Sequence, residues 1–205
     1  MKSNNQPLKI ALTGGIAAGK SLASKTLESL GAHIIDADIV SREVVASAQG
    51  IAKIKQAFGE QFFDLDGQLN RPKFREYVFA DTQRVKLLNS LLHPLIRQNI
   101  QNQLDNLKHL PVVFVVIPLL IESGMTDMFD RVWTIASTPE NRIKRVIRRD
   151  NITVQQAYNI LDNQASEQDR AKIACVVIHN DGSEDEFVDQ VKTHYRNLMQ
   201  ELGIT

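Results

Sequence analysis

The sequence predicts an α/β fold, a five-stranded parallel sheet covered on both faces by helices. Three observations carry this expectation: five short apolar runs, marked helix starts between them, and the unequal spacing of the runs. The runs fall at residues 8–13, 33–35, 112–117, 132–136 and 175–178. Most are continuous stretches rich in Val, Ile and Leu. A strand buried on both faces reads that way, whereas a half-exposed strand alternates.

The first run passes into Gly14 and Gly15, and a helix is expected from near Lys20 with Gly31 as its C-cap. The second run follows after about 20 residues, room for one helix, but roughly 75 residues separate the second from the third, far more than an ordinary connection. That interval carries an inserted helical unit. Within it Leu91, Leu92, Leu95, Ile96, Ile100, Leu104 and Leu107 keep close to a 3.6-residue period and predict a helix over 90–107. The third run ends at Pro118. The stretch 110–121 around it holds two prolines and falls short of the roughly 20 residues a membrane span needs, so it is read as a buried strand. After the fourth run, Thr138-Pro139 offers an N-cap followed by proline at the first helical position, while Thr153 with Gln156 and Ser183 with Glu186 form capping boxes. The polar, arginine-rich interval between Ala136 and Cys175 reads as a small helical flap. No repeat or flexible linker is evident, so both intervals are insertions within one fold.

The 24 basic and 24 acidic residues of the 205-residue chain cancel, which gives no global bias toward nucleic acid or an anionic membrane. The single cysteine, Cys175, cannot form an internal disulfide and is read as a small buried apolar residue in a reducing compartment. The polar run at residues 3–6 is unlike a secretory signal. These features together predict a cytoplasmic, unanchored protein; its oligomeric state is left open.

Gly14-Gly15-Ile16-Ala17-Ala18-Gly19-Lys20-Ser21 matches G-x-x-x-x-G-K-[S/T] in full, directly after an apolar strand and before a helix. Glycines let the backbone wrap a phosphate, the amides and the helix N-terminus supply positive potential, Lys20 neutralises β/γ oxygens, and the Ser21 hydroxyl is expected on Mg²⁺. This phosphate-binding loop predicts ATP binding. Two absences favour a small-molecule kinase over a switch: Pro118 stands where a Walker-B aspartate would, and no Asn/Thr-Lys-x-Asp motif occurs. From the residues alone, a kinase for another nucleoside or nucleotide and an NTPase module that switches a partner both stay open.

Asp36-Ala37-Asp38 closes the second run, which is expected beside the P-loop strand, where a carboxylate would lie near the γ-phosphate. Asp36 reads equally as a helix cap, and Asp38 is favoured for catalysis. Arg142, Arg145 and Arg149 recur at one helix face, with Ile143, Val146 and Ile147 on another. Such a face can aim a guanidinium at the charge that develops in phosphoryl transfer; Arg148 reads as solvated.

Along its length the chain resembles the dephospho-coenzyme A kinase family: Leu12-Thr13-Gly14-Gly15-Ile16, Asp36-Ala37-Asp38, Leu92-His93-Pro94-Leu95 with Arg97, Pro118-Leu119-Leu120 with Glu122, Lys144-Arg145 with Arg149-Asp150, Gln164 with Arg170, and Ile178-His179-Asn180-Asp181-Gly182. The resemblance implies a P-loop NTPase fold like that of nucleoside-monophosphate kinases. Residues 1–38, 111–137 and 171–205 would form the core, 39–110 a helical substrate domain and 138–170 a lid. It implies transfer of the ATP γ-phosphoryl group to the ribose 3′-hydroxyl of dephospho-CoA, with Mg²⁺. By the same resemblance Asp38 would orient or deprotonate that hydroxyl, and Lys20 and Arg145 would stabilise charge. His93, Arg97, Pro118, Leu119 and Glu122 would line the acceptor site. Gly14, Gly15, Ala17, Ala18, Gly19, Lys20, Ser21, Leu22 and Arg145 would hold ATP, and Asn180 and Gly182 would pack on its adenine. Ala17-Ala18 stands where the family usually has Gly-Ser, and Leu22 where it usually has threonine.

Overall fold

The computed structural model describes residues 6–204; most of the polar run at 3–6 lies outside them. Among the described residues five strands, β1 (Leu8–Gly14), β2 (His33–Asp36), β3 (Val112–Val116), β4 (Arg131–Ala136) and β5 (Val176–His179), form one parallel sheet in the order β2-β3-β1-β4-β5. The expected sheet is present, with its predicted strands shifted by a residue or so at their ends. One adjacency differs from expectation. The neighbours of β1 are β3 and β4, with Ile10 opposite Phe114 on one side and Leu12 opposite Trp133 on the other. The strand β2, ending in Asp36, pairs only with β3 and so lies one strand away from β1. Burial explains the order. All five residues of β3 are buried and suit an interior position, whereas β2 and β5 are partly exposed and form the edges.

Helix α1 (Lys20–Ser29) ends as expected: Gly31 follows at φ +87, its N–H reaches Glu28 O, and the Ala32 N–H reaches Leu27 O at 3.0 Å. This pair of bonds is a Schellman closure, which satisfies carbonyls the helix end leaves over. Helix α1 and the C-terminal helix of the chain bring Ala23, Leu27, Phe187, Val191 and Leu198 into one apolar cluster with Ile10, Leu12, Phe114, Trp133 and Ile135 of the sheet. Phe114 and Trp133 meet edge to face at 5.1 Å, an arrangement that adds to their burial. Cys175 departs from expectation: it is exposed, just ahead of the edge strand β5, and its Sγ donates to Val132 O.

The chain divides into two units, residues 1–36 with 104–205 and residues 37–103. The second unit holds α2 (Ala37–Ala46), α3 (Ala48–Phe58), α4 (Arg71–Phe79) and most of α5 (Thr82–Asn106). Its own small core is aromatic. Phe74 takes Phe58 and Phe62 edge to face at 5.2 and 5.3 Å, with Ile54 and Val78 around them. Helix α5 starts eight residues before the predicted 90–107 span, because Val85, Leu88 and Leu91 continue its apolar face onto this cluster. Pro94 sits inside α5, where it removes one helix bond to the carbonyl four residues earlier.

In the first unit, β4 leads into α6 (Pro139–Asp150), α7 (Val154–Asp162), α8 (Glu167–Ile173) and α9 (Glu184–Glu201), each opened by a side-chain cap from Thr138, Thr153, Ser166 or Ser183. The two predicted capping boxes are both formed, by Thr153 with Gln156 and Ser183 with Glu186. Ile143, Val146 and Ala157 form a separate apolar cluster against which Ile16 and Ala17 pack. The segment 138–173 is thereby tied to the turn after β1.

Candidate active site

The turn after β1 is built by backbone shape before side chains matter. Gly14 has φ +150 and lies so close to Ile135 O that a Cβ there would overlap it; Gly19 has φ +117 beside the Asn180 amide. Ala17 is left-handed at φ +56, one of two non-glycine residues so placed among those described. The methyl of Ala18 is fully buried in the main core, and Ala17 packs with the α6–α7 cluster, which gives both departures from the family's Gly-Ser a packing role. Leu22 likewise turns to the core.

Helix α1 begins differently from α3, α4 and α6 to α9. Gly19 supplies no side-chain cap and no acidic residue stands in its first turn, whereas those six helices have side-chain caps. An N-terminus left in this way presents amides and the positive end of the helix dipole to an anion. Lys20 Nζ donates to Gly14 O at 2.7 Å and Gly15 O at 2.9 Å, so its charge sits over the turn. Ser21 is exposed at the start of the same helix. One hydroxyl beside phosphate oxygens and water is a donor set that fits Mg²⁺.

The loop after β5 closes the turn from the other side. Asn180 is buried, its Nδ2 donates to Ala18 O at 2.7 Å, and its own O accepts from Ser137 Oγ and from Arg145 Nη2. Arg145 also donates to Ser137 Oγ at 3.2 Å and Ala17 O at 3.4 Å. Thus Asn180, Arg145 and Gly14–Ser21 come together. Gly182 follows on the surface, next to the Glu186 carboxylate that caps α9.

Arg142, Arg145 and Arg149 of α6 do not act as one face. Arg149 is exposed and paired with Asp150 beside it, and Arg148 is exposed. Arg142 is 4% exposed; its Nε donates to Ile16 O at 3.0 Å and its Nη1 to Glu167 Oε1 at 2.6 Å. Burial pushes this guanidinium below the usual arginine range and the Arg170 charge adds to the effect, while Glu167 opposes both. Arg170 is 1% exposed, 3.2 Å from Glu167 Oε1 and 3.8 Å from Glu122 Oε1. Glu122, expected on the acceptor, here accepts the Ala165 N–H at 2.8 Å and faces that buried arginine. Leu119 is 46% exposed while Leu120 beside it is buried.

Two buried arginines, Arg142 and Arg170, thus meet the partly exposed carboxylates of Glu167 and Glu122 in a set with no net charge. Removing Arg170 takes a cation from both glutamates while Arg142 stays on Glu167. Arg170→Ala is expected to cost about 1.5–3 kcal/mol, the usual loss of hydrogen bonding to charged groups, because the carboxylates it leaves are reached by water, which lowers Tm by roughly 3–12 °C for a chain of this size. Thermal denaturation followed by circular dichroism checks it. A shift of only a degree or two would show the cluster to be idle.

Asp181 gives a pH signature. Burial opposes its ionisation, but hydrogen bonds from the Thr138 N–H, Asn141 Nδ2 and Ser137 Oγ outweigh that and hold its pKa at about 2. A carboxylate depressed on folding stabilises the fold fully above its unfolded value and loses that contribution as pH falls through the folded one. Melts of wild type and Asp181→Asn should therefore converge between about pH 4 and pH 2. A difference that stayed constant over that window would overturn the assignment.

In the second unit, Asp38 is exposed in the first turn of α2 and its O accepts from Arg42 Nε. His93 and Arg97 are half-buried and one turn apart on α5, so they share a face. Burial pushes His93 below the usual histidine value, which favours its neutral form near pH 7. Ser137 and Glu167 were not singled out from sequence. Only Ser137, as the last residue before the Thr138 cap, carries a local signal.

Three kinds of similarity to known proteins bear on this site. A family model described as dephospho-CoA kinase matches residues 8–186. The dephospho-CoA kinase of Yersinia pseudotuberculosis is 41% identical over 191 residues, 92% of each chain. That of Escherichia coli K12 is 37% identical over 192 residues, 93% of each. Among solved structures, dephospho-CoA kinase from Campylobacter jejuni superposes with a TM-score of 0.73 at 27% identity, covering 94% of this chain and 98% of that one. A Thermus thermophilus protein, TT1252, gives 0.79 at 29% identity over 94% and 98%. Shikimate kinase from Acinetobacter baumannii, at 16% identity over 96% of each chain, shares the fold with a TM-score of 0.54.

Proposed function

We propose, from the premise that the chain belongs to the dephospho-CoA kinase family, that it transfers the γ-phosphoryl group of ATP to the ribose 3′-hydroxyl of dephospho-CoA, the last step of coenzyme A synthesis. The observation that carries this reading is the extent of the match: residues 8–186 include the P-loop, the helical insertion and the 138–170 segment together. A shared P-loop alone would support only nucleotide binding.

In this reading the amides of Gly14–Ser21 and the start of α1 cradle the phosphates, with Lys20 on the β/γ oxygens. Asn180 and Gly182 flank the adenine, and Arg145 supplies charge from α6. By the family resemblance His93, Arg97, Pro118, Leu119 and Glu122 are each assigned to acceptor binding, and residues 39–110 and 138–170 to substrate domain and lid. Asp38 aligns the 3′-hydroxyl and takes its proton as the O–P bond forms; the bond from Pγ to the β–γ bridging oxygen breaks, and ADP leaves with the electron pair. Mg²⁺, held by Ser21 and phosphate oxygens, would offset charge on the transferring group. We place the reaction in the cytoplasm. No described helix is long and apolar enough to cross a membrane.

The test is to offer Mg·ATP with dephospho-CoA, nucleosides and nucleoside monophosphates in separate reactions and weigh the products. A product one phosphoryl heavier with dephospho-CoA alone is expected. Transfer to a nucleoside or nucleotide instead would replace the acceptor, and hydrolysis without any acceptor would replace the reaction class.

A further inference from the structure

We infer that Gln164 is a positioning residue for nucleotide binding: with Arg142 it brackets Ile16 and so holds Ala17 in the left-handed conformation of the phosphate-binding turn. This rests on the proposed reading of Gly14–Ser21 as the nucleotide site but not on the identity of the acceptor.

The bracket is defined by three bonds. The Ile16 N–H donates to Gln164 Oε1 at 2.8 Å, Arg142 Nε donates to Ile16 O at 3.0 Å, and Arg142 Nη2 donates to Gln164 Oε1 at 3.2 Å. The peptide units on both sides of Ile16 are thereby fixed. Because Gln164 receives two donors on one atom, only its oxygen can stand there. Arg142 is in turn locked by Glu167, so the bracket is anchored in the ion cluster around the two buried arginines.

Gly15 records the same contact. Its backbone lies outside the left-handed region, so conformation does not demand a glycine, but a Cβ at this position would overlap the Arg142 guanidinium. The second glycine of the turn therefore makes room for the bracket.

The residue that follows the bracket is the strained one. Ala17 at φ +56 bears a penalty that glycine would not. A strained residue persists only where its surroundings over-determine it. The surroundings here are Gln164 and Arg142 before it, and after it Arg145 on Ala17 O and Asn180 on Ala18 O. Every one of these partners is distant in sequence, so the shape of the turn is imposed from α6, the α7–α8 link and the loop after β5. With the Ile16 N–H committed to Gln164, phosphate contacts fall to later amides. Gln164 then acts by raising the fraction of turns in the binding shape, and apparent affinity scales with that fraction.

The experiment is calorimetric titration of the full chain with Mg·ADP and with Mg·ATP. Gln164→Ala, and Gln164→Leu as a variant of similar size without the acceptor oxygen, should each weaken both nucleotides by about tenfold, the weight of one left-handed alanine. In an Ala17→Gly background, where the strain is absent, the same Gln164 substitutions should weaken binding by about twofold or less. Unchanged affinity in Gln164→Ala would overturn the proposal. So would an equal loss in both backgrounds, which would make Gln164 a direct contact or a general support. ADP binding reads the bracket with no acceptor present, so a wrong acceptor and a wrong bracket give different results.

Discussion

Lys20→Ala is expected to lower phosphoryl transfer by about 10³-fold, the upper part of what one preorganised charge donor contributes to a transition state, with the fold retained. The argument starts from position. Lys20 opens α1 and stands over Gly14 O and Gly15 O, away from the core residues Ala23 and Leu27 that anchor the helix. Truncation forfeits those two bonds, worth about 1 kcal/mol net for groups in reach of water, or a Tm drop of roughly 2–4 °C. It removes the positive charge at the point where negative charge on the β/γ oxygens grows as the bond to the leaving group lengthens. Steady-state turnover with a parallel melt checks both halves. Near-normal turnover would take Lys20 out of the mechanism, and collapse of the melt would make it a structural residue.

The elements governed by local signals were legible in the sequence. Thr138-Pro139, Thr153 with Gln156, and Ser183 with Glu186 start α6, α7 and α9 because a cap acts within four residues of itself. Gly31 closes α1 for the same reason. The sheet order was not legible. Nothing near Asp36 tells that β3, arriving after the long insertion, would pair between β2 and β1. The arginines of α6 show the same limit. Their spacing puts Arg142, Arg145 and Arg149 on one face, yet their fates are set by partners elsewhere: Glu167 and Ile16 for Arg142, Asn180 and Ser137 for Arg145, and adjacent Asp150 for Arg149. Burial of an arginine depends on where a distant carboxylate lands, and periodicity carries no such information. Ala17-Ala18 is similar. As a sequence it is a departure from Gly-Ser; in the fold each methyl fills a different apolar cluster.

Asp38→Asn is expected to lower phosphorylation of dephospho-CoA by about 10²–10⁴-fold, the range of general-base help, with Mg·ATP binding largely retained. An alcohol is a poor nucleophile at neutral pH, and a carboxylate within hydrogen-bond reach both aligns it and accepts its proton. Asp38 has the properties for that part: it stands exposed in the first turn of α2, so asparagine, similar in shape and hydrogen-bonding capacity, changes the charge without disturbing the helix. Asp36, which ends the edge strand β2, should matter less when changed to asparagine. A carboxylate can also hold Mg²⁺ through water, and the two roles separate by titration with metal. If excess Mg²⁺ restores transfer in Asp38→Asn, the carboxylate belongs to the metal shell; if it does not, the lost function is alignment and proton transfer. Unchanged transfer at ordinary Mg²⁺ would exclude both roles. A parallel pH–rate profile sharpens the choice, because a base required in its ionised form imposes an acidic limb on kcat that the asparagine variant should no longer show.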